Sequence, residues 1–443
     1  MANDRCYQTE ERKDTFSRIA LSKEVSRGYV YLDQNLIVHA PTKTNSMPDP
    51  PQEEKKNIPL LGLVSLLNDA SSEIIQPILP LFIISLGGGG LAVGLIGGLS
   101  DGLPSVLKIL SGYWSDRMGK RKPLVVAGYS ISALGKLLLS TAVIWQHVFL
   151  LKTLERCGKG IRSAPRDAII AESAPEETRG RGFGVHRALD TTGAIIGSAL
   201  AYLLWQGGMD FRSIFILAGL IAIIALGPLI LVRETIKAPS KNRGRDLGIS
   251  SLSPDLRKFV VISSLFALGN FSYMFFLLRA SQFFAGDLAV GAPLLLYIFF
   301  NVVYAGLSIP SGIWSDRVGR RNVLLVGYAL FALVCAGFAY VSTVPGLILL
   351  FALYGLVFAM VDGAERAFVS DLSRTSTRGT ALGAYHATVG LAAILSGIVA
   401  GLLWQYQSST APFLFGAAAA LLASLLLMRM KNTAGMGRAK ATA

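Results

Sequence analysis

Charge is scarce in this chain. Only 16% of its 443 residues are Asp, Glu, Lys or Arg, against about 25% in a soluble domain. Cysteine is scarcer: Cys6, Cys157 and Cys335 stand alone, with no CxxC pair. The four histidines, His39, His147, His186 and His386, are scattered. A disulfide framework and a zinc site are thereby excluded, and the residues call for no metal and no cofactor. No P-loop, HExxH motif or nucleophile–base pair is present, which argues against an enzyme and against ATP-driven work by this chain alone. A signal peptide is missing too. Residues 1–57 are polar and irregular, without an apolar core before a cleavage site, and read as a disordered lead-in. Met47 is an alternative start within it.

What the chain does have is apolar length. It is 52% hydrophobic, with a mean hydropathy of +0.50. A helix of about 20 apolar residues crosses a bilayer. Twelve such spans can be read, at 59–86, 91–111, 123–145, 148–171, 183–206, 212–232, 258–284, 289–311, 322–343, 346–370, 379–404 and 411–430. The fold class is therefore an all-α membrane protein of twelve transmembrane helices. A polar linker, 233–257, holding Lys237, Lys241, Arg243, Arg245 and Arg257, separates a six-helix bundle at 58–232 from another at 258–430. Residues 431–443 form a tail.

The net charge of +14 sits on one set of loops. These carry Arg117, Lys120, Arg121 and Lys122; Arg179 and Arg181; the linker; Arg317, Arg320 and Arg321; Arg374 and Arg378; and Arg429, Lys431, Arg438 and Lys440. The opposite loops are nearly uncharged. Such a pattern is a topology signal rather than a nucleic-acid surface, and it places the basic loops and both termini in the cytoplasm. Short loops and missing targeting signals suit a bacterial inner, cytoplasmic, membrane.

The chain also repeats itself. GYWSDRMGKR at 112–121 returns as GIWSDRVGRR at 312–321, identical at seven of ten positions. TRGRGFGVHRALDTTGAIIGSALAYLLWQ at 178–206 returns more loosely at 377–405. The second half is thus a copy of the first in the same orientation, one of the transporter architectures.

Gly112, Asp116, Arg117, Gly119, Lys120 and Arg121, repeated as Gly312, Asp316, Arg317, Gly319, Arg320 and Arg321, resemble the signature loop of the major facilitator superfamily. Arg156 and Gly160 match the Arg-x-x-x-Gly motif of its fourth span. Gly193 and Gly197 match part of the fifth-span motif of its exporters, although Ser198 replaces the proline and the closing glycines are absent. The resemblance covers about residues 58–430. It implies secondary transport by a monomer, and a loop latch that holds the cytoplasmic side closed while the transporter faces outward. For Asp116 and Asp316 the latch is the better reading, since a topology signal needs no aspartate. For Lys120, Lys122 and Arg121 a topology role alone suffices. Gly160, Gly193 and Gly197 read as helix-packing positions.

Asp69 and Glu73 raise a separate question. They lie at i and i+4 near the middle of the first span, on a face that Gln76 extends, with Pro77 and Pro80 bending the outer half. A charge at the bilayer centre costs at least ~3 kcal/mol on insertion scales, so such acids are paired, protonated or facing a water-filled cavity. Asp101 lies at similar depth in the second span. Span four offers Arg156, Lys159, Arg162, Arg166 and Asp167, and span five His186, Arg187 and Asp190. Asp69, Glu73, Asp101, Arg156, Lys159, His186 and Asp190 are the candidates for proton coupling or substrate binding. The alternative is a static ion network, and for His186 and Asp190 it is preferred. The second half keeps Asn270, Asp362, Glu365, Arg366 and His386; Asp362, Glu365 and Arg366 read as a second cytoplasmic latch. Tyr273, Phe275, Phe276, Phe299, Phe300 and Tyr304 either line an apolar cavity or pack against helices and lipid.

The expected function is proton-coupled export of a small organic molecule by alternating access, with protons and substrate as partners. Alternatives are uptake by symport, export of a metal ion or chelate, and a transport-dead sensor or scaffold. The scaffold has no need to bear the cost of ionisable groups at membrane depth.

Overall fold

A computed structural model describes residues 56–175, 178–234, 252–373 and 378–430. Cys6, His39, Met47, Lys237, Lys241, Arg243, Arg245, Arg374, Lys431, Arg438, Lys440 and the Arg179 side chain lie outside the described part, as do most of the lead-in, linker and tail. Every described element is helical, and the helices build twelve spans.

In the first half, α1 (Asn57–Ile75) and α2 (Leu79–Ser85) make span one, followed by α3 (Gly90–Met118) and α4 (Lys122–Leu138). Then come α5 (Trp145–Glu172), α6 (Arg179–Gln206), and α7 (Phe211–Ile224) with α8 (Gly227–Leu231). The second half repeats the plan: α9 (Pro254–Gly269) with α10 (Met274–Ser281), then α11 (Leu288–Val318), α12 (Arg320–Tyr340), α13 (Val344–Leu372), α14 (Arg378–Tyr406) and α15 (Ala411–Met428). Among the described residues, eleven spans are long and apolar enough to cross a membrane. The twelfth, α5, is long enough but carries seven charges between Lys152 and Asp167.

Both leading spans are broken at the same depth. In span one the break follows from proline. Pro80 has no N–H to donate to the Gln76 carbonyl four residues back, so that oxygen is free for another partner. Span seven breaks at Asn270–Tyr273 without a proline, and sequence pattern alone reads it as continuous.

The halves meet along two seams. The longer joins α3 to α14, and the shorter joins α6 to α11. Glycine makes the first one close. Gly90, Gly94, Gly98 and Gly102 recur every four residues, forming a stripe on one face of α3. A Cβ on Gly94 would stand 2.2 Å from the Gly397 carbonyl oxygen, and one on Gly397 would stand 2.3 Å from that of Gly94. Within the first half, Gly193 and Gly197 bring α6 equally close to the Leu66 and Ala70 carbonyls of α1, and Gly160 packs over Leu107.

The second half is held by rings. Phe275, Phe276 and Phe300 are buried, and Phe276 stacks on Tyr354 at 4.3 Å between centroids. Phe299 is exposed. Of the aromatic positions singled out from sequence, Tyr304 lines the large cavity described next.

Candidate functional site

A cavity of about 820 Å³ lies between the halves, within the size range of small-molecule sites. Asp69, Glu73 and Lys159 lie at its inner end, while Asp316 and Arg320 line it at the basic-loop ends of α11 and α12. It therefore opens toward the basic loops. One wall is α6, with Arg187 and Asp190; the other is α11 and α13, with Asn301, Tyr304, Asp362 and Arg366.

The far end is shut by contacts between the halves. Tyr297 of α11 donates to Glu73 Oε2 at 2.8 Å. Tyr273 donates at 3.1 Å to the Gln76 carbonyl that Pro80 leaves free. The two tyrosine rings lie 5.3 Å apart. Gln76 also donates to Glu73 Oε1, so both oxygens of this carboxylate are occupied. Asp69 accepts from Asn68 at 3.1 Å and lies within hydrogen-bonding reach of Asp190. Two carboxyls at that range need a proton between them or cations nearby. Asp190 further accepts from Ser65 at 3.0 Å and pairs with Arg187 at 3.0 Å.

Span four divides its charges between two jobs. Lys152, Glu155 and Arg156 are all under 5% exposed, with Glu155 Oε2 lying 2.9 Å from Lys152 and 3.2 Å from Arg156. Arg162 is buried over the Tyr129 ring at 4.2 Å and donates to Ser132 at 2.6 Å. Lys136 of α4 is 1% exposed and donates to the Asn68 carbonyl and side chain at 3.0 and 3.1 Å. These groups stitch spans one, three and four. Lys159 differs: it is half-buried on the cavity surface, and Asp69 acts on it electrostatically. Asp101 is exposed, with Arg156 and Lys159 acting on it electrostatically. His186 is 6% exposed, and its Nε2 meets no hydrogen-bond partner among the described residues. Arg166 pairs with Asp167 at 2.8 Å, and Lys108 reaches the same acid at 3.0 Å.

The signature loops are tied within their own halves. Gly119 and Gly319 adopt φ of 65° and 96°, a region that glycine enters without strain. Asp116 lies 3.5 Å from Arg121, which also pairs with Glu172 at the end of α5. Asp316 lies 3.5 Å from Arg320, which pairs with Asp371 at 3.0 Å near the end of α13. Glu234 accepts from the Arg121 and Lys122 backbone N–H groups. Arg321 caps the end of α15, donating to Leu427 and Met428 carbonyls. Arg117, Arg317 and Gly312 are exposed, and Gly112 is half-buried near Ala164.

Asp362 and Arg366 pair with each other at 2.6 Å on the cavity wall, and Tyr304 donates to Asp362 at 2.9 Å. Glu365 points instead into its own bundle, accepting from Tyr328 and Tyr385.

Sequence reasoning missed Lys136, Lys152 and Glu155, and the partners Tyr297, Glu172 and Asp371. The spacing of Lys152 and Glu155 in an otherwise membrane-length helix was the available signal. Tyr297 had none, since its role exists only once span eight lies beside span one.

The fold and its cavity between two repeated bundles define a secondary-transporter architecture. The family model of the Major Facilitator Superfamily matches residues 61–299 and 262–442. The chain belongs to this superfamily and is a membrane transporter of that type. An uncharacterised MFS-type transporter of Methanocaldococcus jannaschii is 46% identical over 85% of this chain and 95% of its own length. The multidrug resistance protein MdtH of Aeromonas hydrophila is 25% identical over 78% of this chain and 87% of its own. Among solved structures, the nucleoside transporter NupG superposes with a TM-score of 0.69 at 17% identity, covering 85% of this chain and 100% of that one.

Proposed function

We propose that this transporter exports a small organic compound across the cytoplasmic membrane in exchange for protons, with Asp69 and Glu73 as coupling carboxylates. The basic loops and termini would face the cytoplasm, so the cavity is the inward-open state of a monomer. The observation that carries the reading is the Glu73–Tyr297 bond. It joins an acid at the inner end of the cavity to the opposite half, on the side that must open next. Opening that side breaks the bond, and a proton then replaces the donor that the half-buried acid has lost. Asp69 and Asp190 sit beside it as a carboxyl pair able to pass or share that proton. Lys159 offers the cavity a cation for an acidic group on the substrate. The latch role of Asp116 and Asp316 belongs to the other state. Here Asp116 and Asp316 pair with arginines of their own halves, as an open cytoplasmic side requires. Resemblance to multidrug resistance proteins supports export over uptake.

The test is reconstitution into liposomes holding a pH-sensitive dye. Pooled compounds, chelated metals among them, are screened under an imposed proton gradient. Wild type runs beside Asp69→Asn and Glu73→Gln. A compound that drives proton flux in wild type, lost in either variant, supports the assignment. Equal movement in all three without proton flux makes the pair structural and the protein a facilitator.

A further inference from the structure

Glu365 is a half-buried acid whose arrangement the gate reading does not explain. It sits on α13, inside the second bundle. Its two oxygens accept from two phenols, Tyr328 Oη at 2.5 Å and Tyr385 Oη. Tyr328 and Tyr385 are 0% and 3% exposed. Tyr328 Oη also lies 3.3 Å from Ser263 Oγ, where either atom can donate. Four helices, α9, α12, α13 and α14, thus converge on one carboxyl through hydroxyl groups.

No salt bridge joins Glu365 to a cation among the described residues. Arg366, the neighbouring base, is bound to Asp362 at 2.6 Å, and Asp362 also holds Tyr304. On α14, His386 lies against the Tyr385 ring at 5.2 Å between centroids. From α9, Ser263 and Asn270 face the site but carry no charge. A carboxylate partly withdrawn from water without a cation is costly, and a bound proton removes that cost.

The hydroxyl chain suits both states. With Glu365 ionised, both tyrosines donate to it and Ser263 donates to Tyr328. With Glu365 protonated, its O–H donates to Tyr328, which turns to donate to Ser263, while Tyr385 still donates to the carbonyl oxygen. Neither state leaves a buried carboxyl oxygen unpartnered.

Water is one wall away. A small cavity of about 100 Å³ adjoins Glu365, enough for a few water molecules. Phe358 and Asp362 line both it and the large cavity.

We propose that Glu365 is a proton-binding site of the second half, separate from the acids of span one. The test is infrared difference spectroscopy of the reconstituted protein as pH is scanned between about 4 and 9. The carboxyl C=O band of protonated Glu365 is expected to grow on acidification and to be missing in Glu365→Gln, which keeps the shape of the side chain. Tyr385→Phe is expected to move the band to higher wavenumber, because the carbonyl loses its donor. The band is expected to persist in Asp69→Asn/Glu73→Gln, so failure of the span-one coupling assignment and failure of this proposal are read separately. A difference spectrum identical in wild type and Glu365→Gln overturns the proposal, whether the group stays ionised or stays protonated throughout.

Discussion

The tie between Glu73 and Tyr297 should set the balance between inward-open and outward-open states. Tyr297→Phe removes one hydroxyl and little volume. The lost bond is a 2.8 Å donation to a carboxylate across the halves. A hydrogen bond to a charged group is worth about 1.5–3 kcal/mol. That bond exists only while the far side is closed, so its whole value enters the equilibrium. At 1.4 kcal/mol per tenfold, the outward-open fraction relative to the inward-open one should rise about 10- to 100-fold. Spin labels at Gln206 and Asp287, exposed at the far ends of the first and second halves, would report it as a longer distance by electron–electron resonance, with Cys6, Cys157 and Cys335 replaced. Glu73→Ala should shift the distribution in the same direction. An unchanged distance distribution in Tyr297→Phe would refute the idea that this contact closes the far side.

Other substitutions separate packing from chemistry. Glu155→Gln leaves Lys152 and Arg156 as buried cations without their counter-charge and should cost about 3–5 kcal/mol, seen as loss of folded protein in detergent. Lys159→Ala, at the cavity surface, should fold and reach the membrane normally yet lose substrate-driven flux. Gly397→Val puts methyl groups into the Gly94 backbone, where no side chain can give way, and should lower thermal stability by at least about 1–3 kcal/mol. Gly306→Ala, with nothing within 4 Å of the new Cβ, should be neutral or stabilise by about 0.5–1 kcal/mol. Glu172→Gln and Asp371→Asn, at matching places in the two halves, should each lower transport rate with unchanged protein yield; a normal rate in both would remove the loop ties from the transport cycle.

The spans, their orientation relative to the basic loops and the two-fold repeat were all legible in the chain. Each follows from apolar length, charge placement and self-similarity, which are properties of the linear order. So was the placing of Asp69 and Glu73 one helical turn apart in the first span, because the helical repeat fixes it. What those acids touch was not legible. Asp190 and Tyr297 approach them from two distant places in the chain, and only helix packing decides that Tyr297 reaches Glu73 while Tyr273 takes the carbonyl freed by Pro80. Packing likewise split span four, burying Lys152, Glu155 and Arg156 in a mutual ion cluster and leaving Lys159 to the cavity. It also separated Glu365 from Arg366, its neighbour in sequence, giving the acid to Tyr328 and Tyr385. Helical residues one position apart point about 100° apart, so a cluster in the sequence is divided between a cavity wall and a bundle interior once the helix has neighbours on both sides.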